Sequence, residues 1–249
     1  VAIANIGGSY EDVDNSAEVE QTLEQTNECE DAECENNIEA QAQLVELAIV
    51  NDGAGGSYED VDNSAEVEQV AEQDNECEQA GCFNEVLAQA QESGIEIINV
   101  GGGSYEDVGN SAEVEQTLKQ DNECEQAGCF NEVLLQEQGS EISILNDGGT
   151  GSSYEDVDNS AEVEQTTEQQ NECEQALCSN FIGGQIQLGI IEIGNGGGGS
   201  GANTYEDVSN SAEIEQTTEQ KNDCEQAECE NINVAQVQAD LIGSYIGRS

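Results

Sequence analysis

The chain contains no proline, methionine, tryptophan or histidine, and only 4% of its residues are aromatic. A conventional globular core of large side chains is therefore not expected. The lack of proline suits long paired strands, because proline cannot donate to a strand ladder. Without histidine, and with few basic side chains, the chain lacks the groups that most often act as general acids and bases. We therefore expect no enzyme activity.

Positive charge is also scarce, because Lys119, Lys221 and Arg248 face 56 acidic residues. The net charge of −53 argues against nucleic acid or an anionic membrane as a partner and makes cations the natural counterpart. No stretch approaches the roughly 18 apolar residues of a membrane span, so membrane insertion is not expected.

One motif, YEDVDNSAEVEQTLEQTNECEDAEC from Tyr10 to Cys34, occurs five times, each copy opening on a tyrosine. In every copy the first cysteine follows the tyrosine by 19 residues and the second follows 5 later. Successive tyrosines lie 48, 47, 49 and 51 residues apart, so the length varies only after the second cysteine. Such a period predicts a one-dimensional array over residues 1–249. Its predicted parts are a tail strand (1–9) and five repeats (10–57, 58–104, 105–153, 154–204 and 205–249).

Within each copy two sets of residues of opposite character alternate. In the first copy, the covered set runs through Ala17, Val19, Gln21, Leu23, Gln25, Asn27 and Cys29, and the acidic set lies between its members. A period of two predicts a β-strand with one covered face. After the second cysteine the alternation resumes, which predicts a second strand. A third, more apolar segment, such as Ile95 to Val100, is expected to form a short buried strand of its own.

The covered set carries amides at the same offsets in all copies, and buried amides need hydrogen-bond partners. Stacking the copies in register would let each amide donate to its equivalent in the next strand. The predicted ladders are Gln21, Gln69, Gln116, Gln165 and Gln216; Gln25, Gln73, Gln120, Gln169 and Gln220; and Asn27, Asn75, Asn122, Asn171 and Asn222. The recurring tyrosines are expected to stack as a column in the same way, and Phe83 and Phe130 to form a local contact patch.

The ten cysteines form five pairs at Cys-x4-Cys spacing, with none left over. A short β reversal brings such cysteines close enough for a disulfide, whereas two thiols without histidine fall short of a zinc site. Five disulfides in a chain that starts without methionine suggest a processed, secreted protein. The predicted pairs are Cys29 with Cys34, Cys77 with Cys82, Cys124 with Cys129, Cys173 with Cys178, and Cys224 with Cys229.

The expected fold is all-β: a five-repeat array of stacked β-arches or β-hairpins, amyloid-like in its register. The amide columns favour arches stacked as a solenoid, and the cysteines suit either arrangement. The first six residues, VAIANI, resemble the end of a repeat whose front half is missing. We expect this tail strand to add to the exposed edge of a neighbouring copy, so that deleting residues 1–6 blocks polymerisation and leaves the monomer folded.

Stacking in register also stacks the glutamates, for example Glu18 over Glu66. At a strand spacing of about 4.8 Å, each such contact repels by on the order of 1 kcal/mol. Protonation, salt or divalent cations must relieve this repulsion, and oxygen ligands favour calcium. The best candidate for a metal site is the turn with Glu11, Asp12, Asp14 and Asn15. The alternative is a solvated acidic surface that keeps the protein soluble.

The element S/N-A-x-x-x-Q-x-x-x-Q-x-N, read from Ser16 to Asn27, resembles the repeats of curlin, the subunit of bacterial extracellular functional amyloid. The acidic, cysteine-containing version is similar to amyloid-like proteins of archaeal sheaths and surface fibres. The resemblance implies an extracellular filament or sheath, built by self-association and without catalysis. The competing hypothesis is a monomeric calcium-dependent adhesin or cation-binding surface protein.

Overall fold

The computed structural model describes residues 1–30, 33–53, 55–79, 81–126, 128–175, 177–196, 203–226 and 228–247. These residues form β-strands and no helix, so none of them provides a helix that could cross a membrane. The strands are β1 (Ala2–Ile6), β2 (Tyr10–Cys29), β3 (Cys34–Ile38), β4 (Gln41–Asp52), β5 (Tyr58–Cys77), β6 (Cys82–Val100), β7 (Ser104–Cys124), β8 (Cys129–Asp147), β9 (Ser153–Glu174), β10 (Leu177–Ile182), β11 (Gln185–Gly196), β12 (Thr204–Glu225), β13 (Glu228–Asn233) and β14 (Gln236–Ile246).

The strands lie in two parallel sheets that face each other. The front sheet has the order β12-β9-β7-β5-β2 and holds the first strand of every repeat. The back sheet holds the second halves of the repeats and extends from β1 to β13 and β14. Each repeat thus forms one level of the stack: it runs along the front sheet, turns at its cysteines and returns along the back sheet. This is a stack of β-arches, and the hairpin alternative is excluded because strand pairing is parallel and joins successive repeats.

The register between successive levels has no offset. Tyr10 pairs with Tyr58, and Cys29 with Cys77, in the first junction of the front sheet, and the same holds in each later junction. In the back sheet Asn51 pairs with Asn99. Equivalent residues therefore lie directly over one another, as the repetition of the sequence predicted.

The prediction of a separate third strand is wrong. Ile95 to Val100 is the last part of β6, which runs unbroken from Cys82. Its inward positions simply change from amides at Gln89 and Gln91 to isoleucines at Ile95 and Ile97. The alternation is interrupted once, at Leu87 and Ala88, but from Gln89 to Asn99 it is unbroken, so no turn separates the amides from the isoleucines. Short breaks do divide the same path in the first, fourth and fifth repeats.

The interior between the sheets contains short apolar columns separated by amides. One column holds the tyrosines with Val61 and its equivalents, two others hold only aliphatic residues, and the last holds the cysteines. Tyr58, Tyr105 and Tyr154 are completely or almost completely buried. The tyrosines, not the aliphatic residues, supply the largest side chains of this core.

Each front strand contains a local reversal of its inside-outside pattern. Tyr105 and Val108 are both buried although they are three positions apart. Asp107 between them has a φ of 51°, and the equivalent aspartates of the other levels share this left-handed conformation. Asp12 and Asp60 take no part in the register that pairs the residues around them. One left-handed residue thus lets both Tyr105 and Val108 reach the core.

This conformation makes a testable prediction at Asp107. Replacement by valine should destabilise the fold by about 1–2 kcal/mol, because a β-branched residue is strained in the left-handed region. Replacement by glycine should be neutral or stabilising, and Asp107→Asn, which removes only the charge, serves as the control. Urea unfolding of the three variants measures the difference. Equal stability of the valine and asparagine variants would contradict this explanation.

Candidate functional site

The glutamines predicted to form ladders are hydrogen-bonded into continuous columns. In the first column the Nε2 atom of Gln69 donates to Oε1 of Gln21 at 3.0 Å, and Gln116 donates to Gln69 at 2.9 Å. The column that starts at Gln25 has equivalent bonds of 2.8–3.0 Å throughout. All these bonds point the same way: each glutamine of the front sheet donates to the level before it.

The asparagines form columns that run in the opposite direction and also join the two sheets. Asn75 donates to Oδ1 of Asn122 in the next level at 3.1 Å. It also donates across the interior to Asn84 of the back sheet at 2.7 Å. Asn84 in turn donates to Asn122 at 2.8 Å. These amides are 0–1% exposed and hold the sheets together as well as the levels.

Five further amide columns were missed by sequence reasoning. They are Asn15, Asn63, Asn110, Asn159 and Asn210 in the front sheet, and, in the back sheet, Asn36, Asn84, Asn131, Asn180 and Asn231; Gln41, Gln89, Gln136, Gln185 and Gln236; Gln43, Gln91, Gln138, Gln187 and Gln238; and Asn51, Asn99, Asn146 and Asn195. The signal was available, because each set repeats one amide at one offset. Each back-strand set keeps a constant distance from the second cysteine of its repeat, and loop length varies only after these sets. Asn15 was overlooked because it was assigned to an acidic turn.

The columns end at the two ends of the stack, and the ends are complementary. At the N-terminal end, among the described residues, Gln21 has no earlier glutamine to receive its Nε2 donor. At the C-terminal end Gln216 donates to Gln165, so its own Oε1 has no glutamine donor beyond it. The asparagine columns are the converse, since Asn222 at the C-terminal end donates only within its own level, to Asn231 and the Glu230 carbonyl, and no asparagine of a further level accepts from it among the described residues. Each end therefore offers the groups that the other end lacks.

The tail strand β1 covers part of the N-terminal end. It pairs in register with β4, with Ala2 opposite Ala48 and Ile6 opposite Asp52. The resemblance of this segment to the end of a repeat is therefore real. In the single chain it lies on its own back sheet, and its addition to a neighbour remains a prediction.

The tyrosines form the predicted column along one side of the core. Ring centroids of successive tyrosines lie 4.8–5.2 Å apart. The hydroxyl of Tyr58 lies within hydrogen-bond distance of the backbone carbonyl groups of Asn51 and Val100, so its single proton can be donated to either. Burial raises the pKa of Tyr58 to about 12. Burial also raises the pKa values of Tyr105 and Tyr154. Phe83 and Phe130 stack on the outer face of the back sheet, with centroids 5.1 Å apart.

All five cysteine pairs form disulfides, with Cα–Cα distances of 6.2–6.8 Å. Each disulfide joins the front strand to the back strand of its own level, at the turn of the arch. In the described parts of the chain, the groups of three candidate metal-ligating atoms that lie within 4.8 Å of one another consist of these cysteines alone. Because their sulfurs are oxidised, they are not thiolate ligands. The disulfides indicate an oxidising environment.

The acidic columns lie on the outer face of the front sheet. Glu66 pairs with Glu113, which pairs with Glu162. Partial burial, together with Glu66 and Glu162, raises the pKa of Glu113 above its usual value. Partial burial, together with Glu115 and Glu20, does the same for Glu68. The crowding of carboxylates expected from the sequence therefore makes proton loss from the central levels more difficult.

The four residues proposed for a calcium site do not share one surface. Asn15 points into the core, where it donates to Asn63 at 2.8 Å and Asn51 at 3.3 Å. Glu11, Asp12 and Asp14 are exposed. The arrangement leaves three surface carboxylates without the amide as a fourth ligand, because the left-handed Asp12 shifts the alternation that follows it. Calcium binding at this turn stays a prediction.

Comparisons with protein families, with curated proteins and with solved structures found no match to this chain.

Proposed function

We propose that the protein is the structural subunit of an extracellular filament or sheath and that it polymerises head to tail by strand addition. The observation that carries this proposal is the complementarity of the two ends of the stack. A second copy placed on either end continues every column of the front sheet with the spacing and hydrogen bonds found inside the chain. The curlin-like amide pattern supports the same function.

The terminal strands of the front sheet favour association over a monomeric state. β2 has 20 residues and β12 has 22, and each leaves one edge unpaired within the described chain. Proteins that remain monomeric usually shorten, bend or cover such edges, or place proline and lysine there. Here Lys221 is the only lysine on either strand, and proline is absent from the whole chain. Long, regular edges of this kind recruit further strands.

The disulfides and the buried amides suit a load-bearing extracellular material. Each small disulfide ring stabilises its level by roughly 2 kcal/mol in the loop-entropy description. The amide columns specify register, because a one-residue slip would place glutamates in the core. We assign no catalytic role to the chain, and its partner in this proposal is another copy of itself.

The alternative function is a monomeric, cation-binding surface protein or calcium-dependent adhesin, and the acidic columns are the observation in its favour. Electron microscopy of the purified chain, with and without calcium, separates the two. The proposal predicts filaments or sheets with an axial repeat of about 4.8 Å in fibre diffraction. Discrete particles would support the alternative if calcium raises their thermal stability to a saturating value and magnesium raises it much less.

A matched pair of lysine variants on β12 tests the interface itself. Gln216 faces the core and is half-buried at the C-terminal end, whereas its neighbour Glu215 faces solvent. Gln216→Lys should reduce filament mass at least tenfold, because the junction would bury an unpaired charge. Glu215→Lys should leave filament mass unchanged or raise it, since it relieves repulsion in an acidic column. Equal losses in the two variants, measured by sedimentation, would argue against this end as the interface.

A further inference from the structure

At the N-terminal end the back sheet is one strand taller than the front sheet. β1 covers residues 48–52 of β4, while β2 has no strand beyond it among the described residues. In the head-to-tail filament proposed above, on which this inference rests, a neighbour places its β12 on β2. The neighbour's last level also contains its β14. The tail strand β1 and the end of the neighbour's β14 would then occupy the same position.

The register shows which residues compete for this position. Through the successive pairings of the back sheet, Ile3 corresponds to Ser244 and Asn5 to Ile246. In the levels between them, the position of Ile3 is occupied by Ile49, Ile97, Ile144 and Ile193. The position of Asn5 is occupied by Asn51, Asn99, Asn146 and Asn195. β1 therefore carries the interior pattern of isoleucine and asparagine. β14 departs from it at both inward positions.

Hydrogen bonds at Asn5 show how well β1 fits. Asn5 donates to Asn15 at 2.9 Å and to Asn51 at 2.8 Å. Asn99, in the middle of the stack, makes the same pair of bonds to the next level, at 3.0 and 2.7 Å. An isoleucine in place of Asn5 would remove both bonds and leave the buried amide of Asn51 without its donor from the level before.

The last level shows the converse defect. Asn195 donates to Asn210 at 2.8 Å, but its pairing partner in the back sheet is Ile246, which accepts no side-chain bond. Asn210 turns to the hydroxyl of Ser244, at 2.9 Å. Ile246 is 46% exposed although it occupies an inward position. The asparagine column of the back sheet thus stops one level before the end of the chain.

We propose that subunits join by strand exchange, in which β1 of one chain displaces residues 243–247 of its neighbour. β1 would then pair with its own β4 on one side and with the neighbour's β11 on the other. The asparagine column would run from Asn195 of the neighbour through Asn5 to Asn51. The backbone bonds that β11 loses from β14 are replaced by those to β1. The side-chain contacts given up include the Asn210–Ser244 hydrogen bond and the packing of the Tyr245 ring over Gly194.

A peptide displacement experiment tests the exchange without requiring filaments. The full-length chain is mixed with a synthetic peptide of residues 1–8, and hydrogen exchange is followed by mass spectrometry. The wild-type peptide should speed exchange of the amides of residues 243–247 at least tenfold, and a peptide with Asn5→Leu should not. The proposal would be overturned if the peptide speeds amide exchange only in residues 2–6, or in no residues at all. If the peptide displaces residues 243–247 but the chain forms no filaments, the proposed function is refuted while strand exchange is still supported.

A second test makes β14 a better competitor. The double variant Ser244→Ile with Ile246→Asn gives β14 the interior pattern, so it should raise the thermal stability of the unassembled chain and lower filament mass at least tenfold. If β14 instead stays in place at the junction, the same changes would continue the columns and increase filament mass. The opposite double variant, Ile3→Ser with Asn5→Ile, should also lower filament mass. An increase in either variant contradicts strand exchange.

Discussion

Replacing Asn122 by leucine should lower the free energy of unfolding by roughly 3–5 kcal/mol, because buried polar groups left unpaired cost about 1–3 kcal/mol each. Asn122 lies in the third of the five levels and is fully buried. Its Nδ2 atom donates to the Phe130 carbonyl, to Asn131 and to Asn171. Leucine has nearly the same size, so the loss would come from hydrogen bonding and not from packing.

The groups that lose their partner in this variant are themselves buried. Asn75 and Asn84 both donate to the Oδ1 atom of Asn122, and the protein interior offers them no water in exchange. The effect should therefore spread to both neighbouring levels. Guanidinium unfolding of the oxidised chain measures it.

The same substitution at Asn222 is the matched control. Asn222 occupies the same position in the last level, where it is half-buried. Water at the open end can take the place of its bonds to Asn231 and the Glu230 carbonyl. The buried Asn171 and Asn180 also donate to Asn222, so they lose one acceptor each, but only on this one side of the residue. Asn222→Leu should therefore cost less than Asn122→Leu, about 1–2 kcal/mol. Equal costs at the two positions would show that the amides contribute by local geometry and not by burial within a column.

Acidification should stabilise the stack and promote its assembly. The pKa values of Glu68, Glu113 and Glu123 are raised above 4.5, first by burial and then by glutamates of the neighbouring levels. Burial, followed by the charge of Asp74, likewise raises the pKa of Asp121. A group whose pKa is higher in the folded state binds its proton more tightly there. Its contribution to stability is fully present below the unfolded pKa and is lost as the pH rises through the folded pKa.

The expected result is a higher unfolding temperature near pH 5 than at pH 8, together with more filament. Salt should reduce the difference, because it screens repulsion between exposed carboxylates. Glu113→Gln is the specific test: it should stabilise the chain at pH 8 and have a smaller effect near pH 4, because the raised pKa of Glu113 increases its protonated fraction at low pH. Glu213→Gln, in the same column but with a neighbour on one side only, should have a smaller effect. A Glu113→Gln variant that is equally stabilised at both pH values would contradict the electrostatic explanation.

Sequence reasoning was most successful where one local rule holds over many residues. The alternation from Ala17 to Cys29 was sufficient to identify a strand, and the repeated glutamines at Gln21 and Gln69 were sufficient to predict stacking in register. They favoured arches over hairpins, and the parallel pairing of the structure decided between the two. Sequence reasoning failed where the alternation of inward and outward residues is interrupted, or where it continues further than expected. Asn15 was assigned to an acidic turn, yet it lies in the core because Asp12 shifts the alternation. The segment from Ile95 to Val100 was separated from a strand to which it belongs.

The sequence by itself determined the all-β character, the five levels, their register and the disulfide pairs, because a repeated pattern places identical groups at identical offsets and only in-register stacking satisfies all the amides at once. Only the tertiary structure decided which amides cross between the sheets, where the left-handed aspartates redirect the strands, and that β1 lies on its own back sheet. These features depend on which segments face each other across the interior. The spacing of residues along one strand does not specify which segments those are.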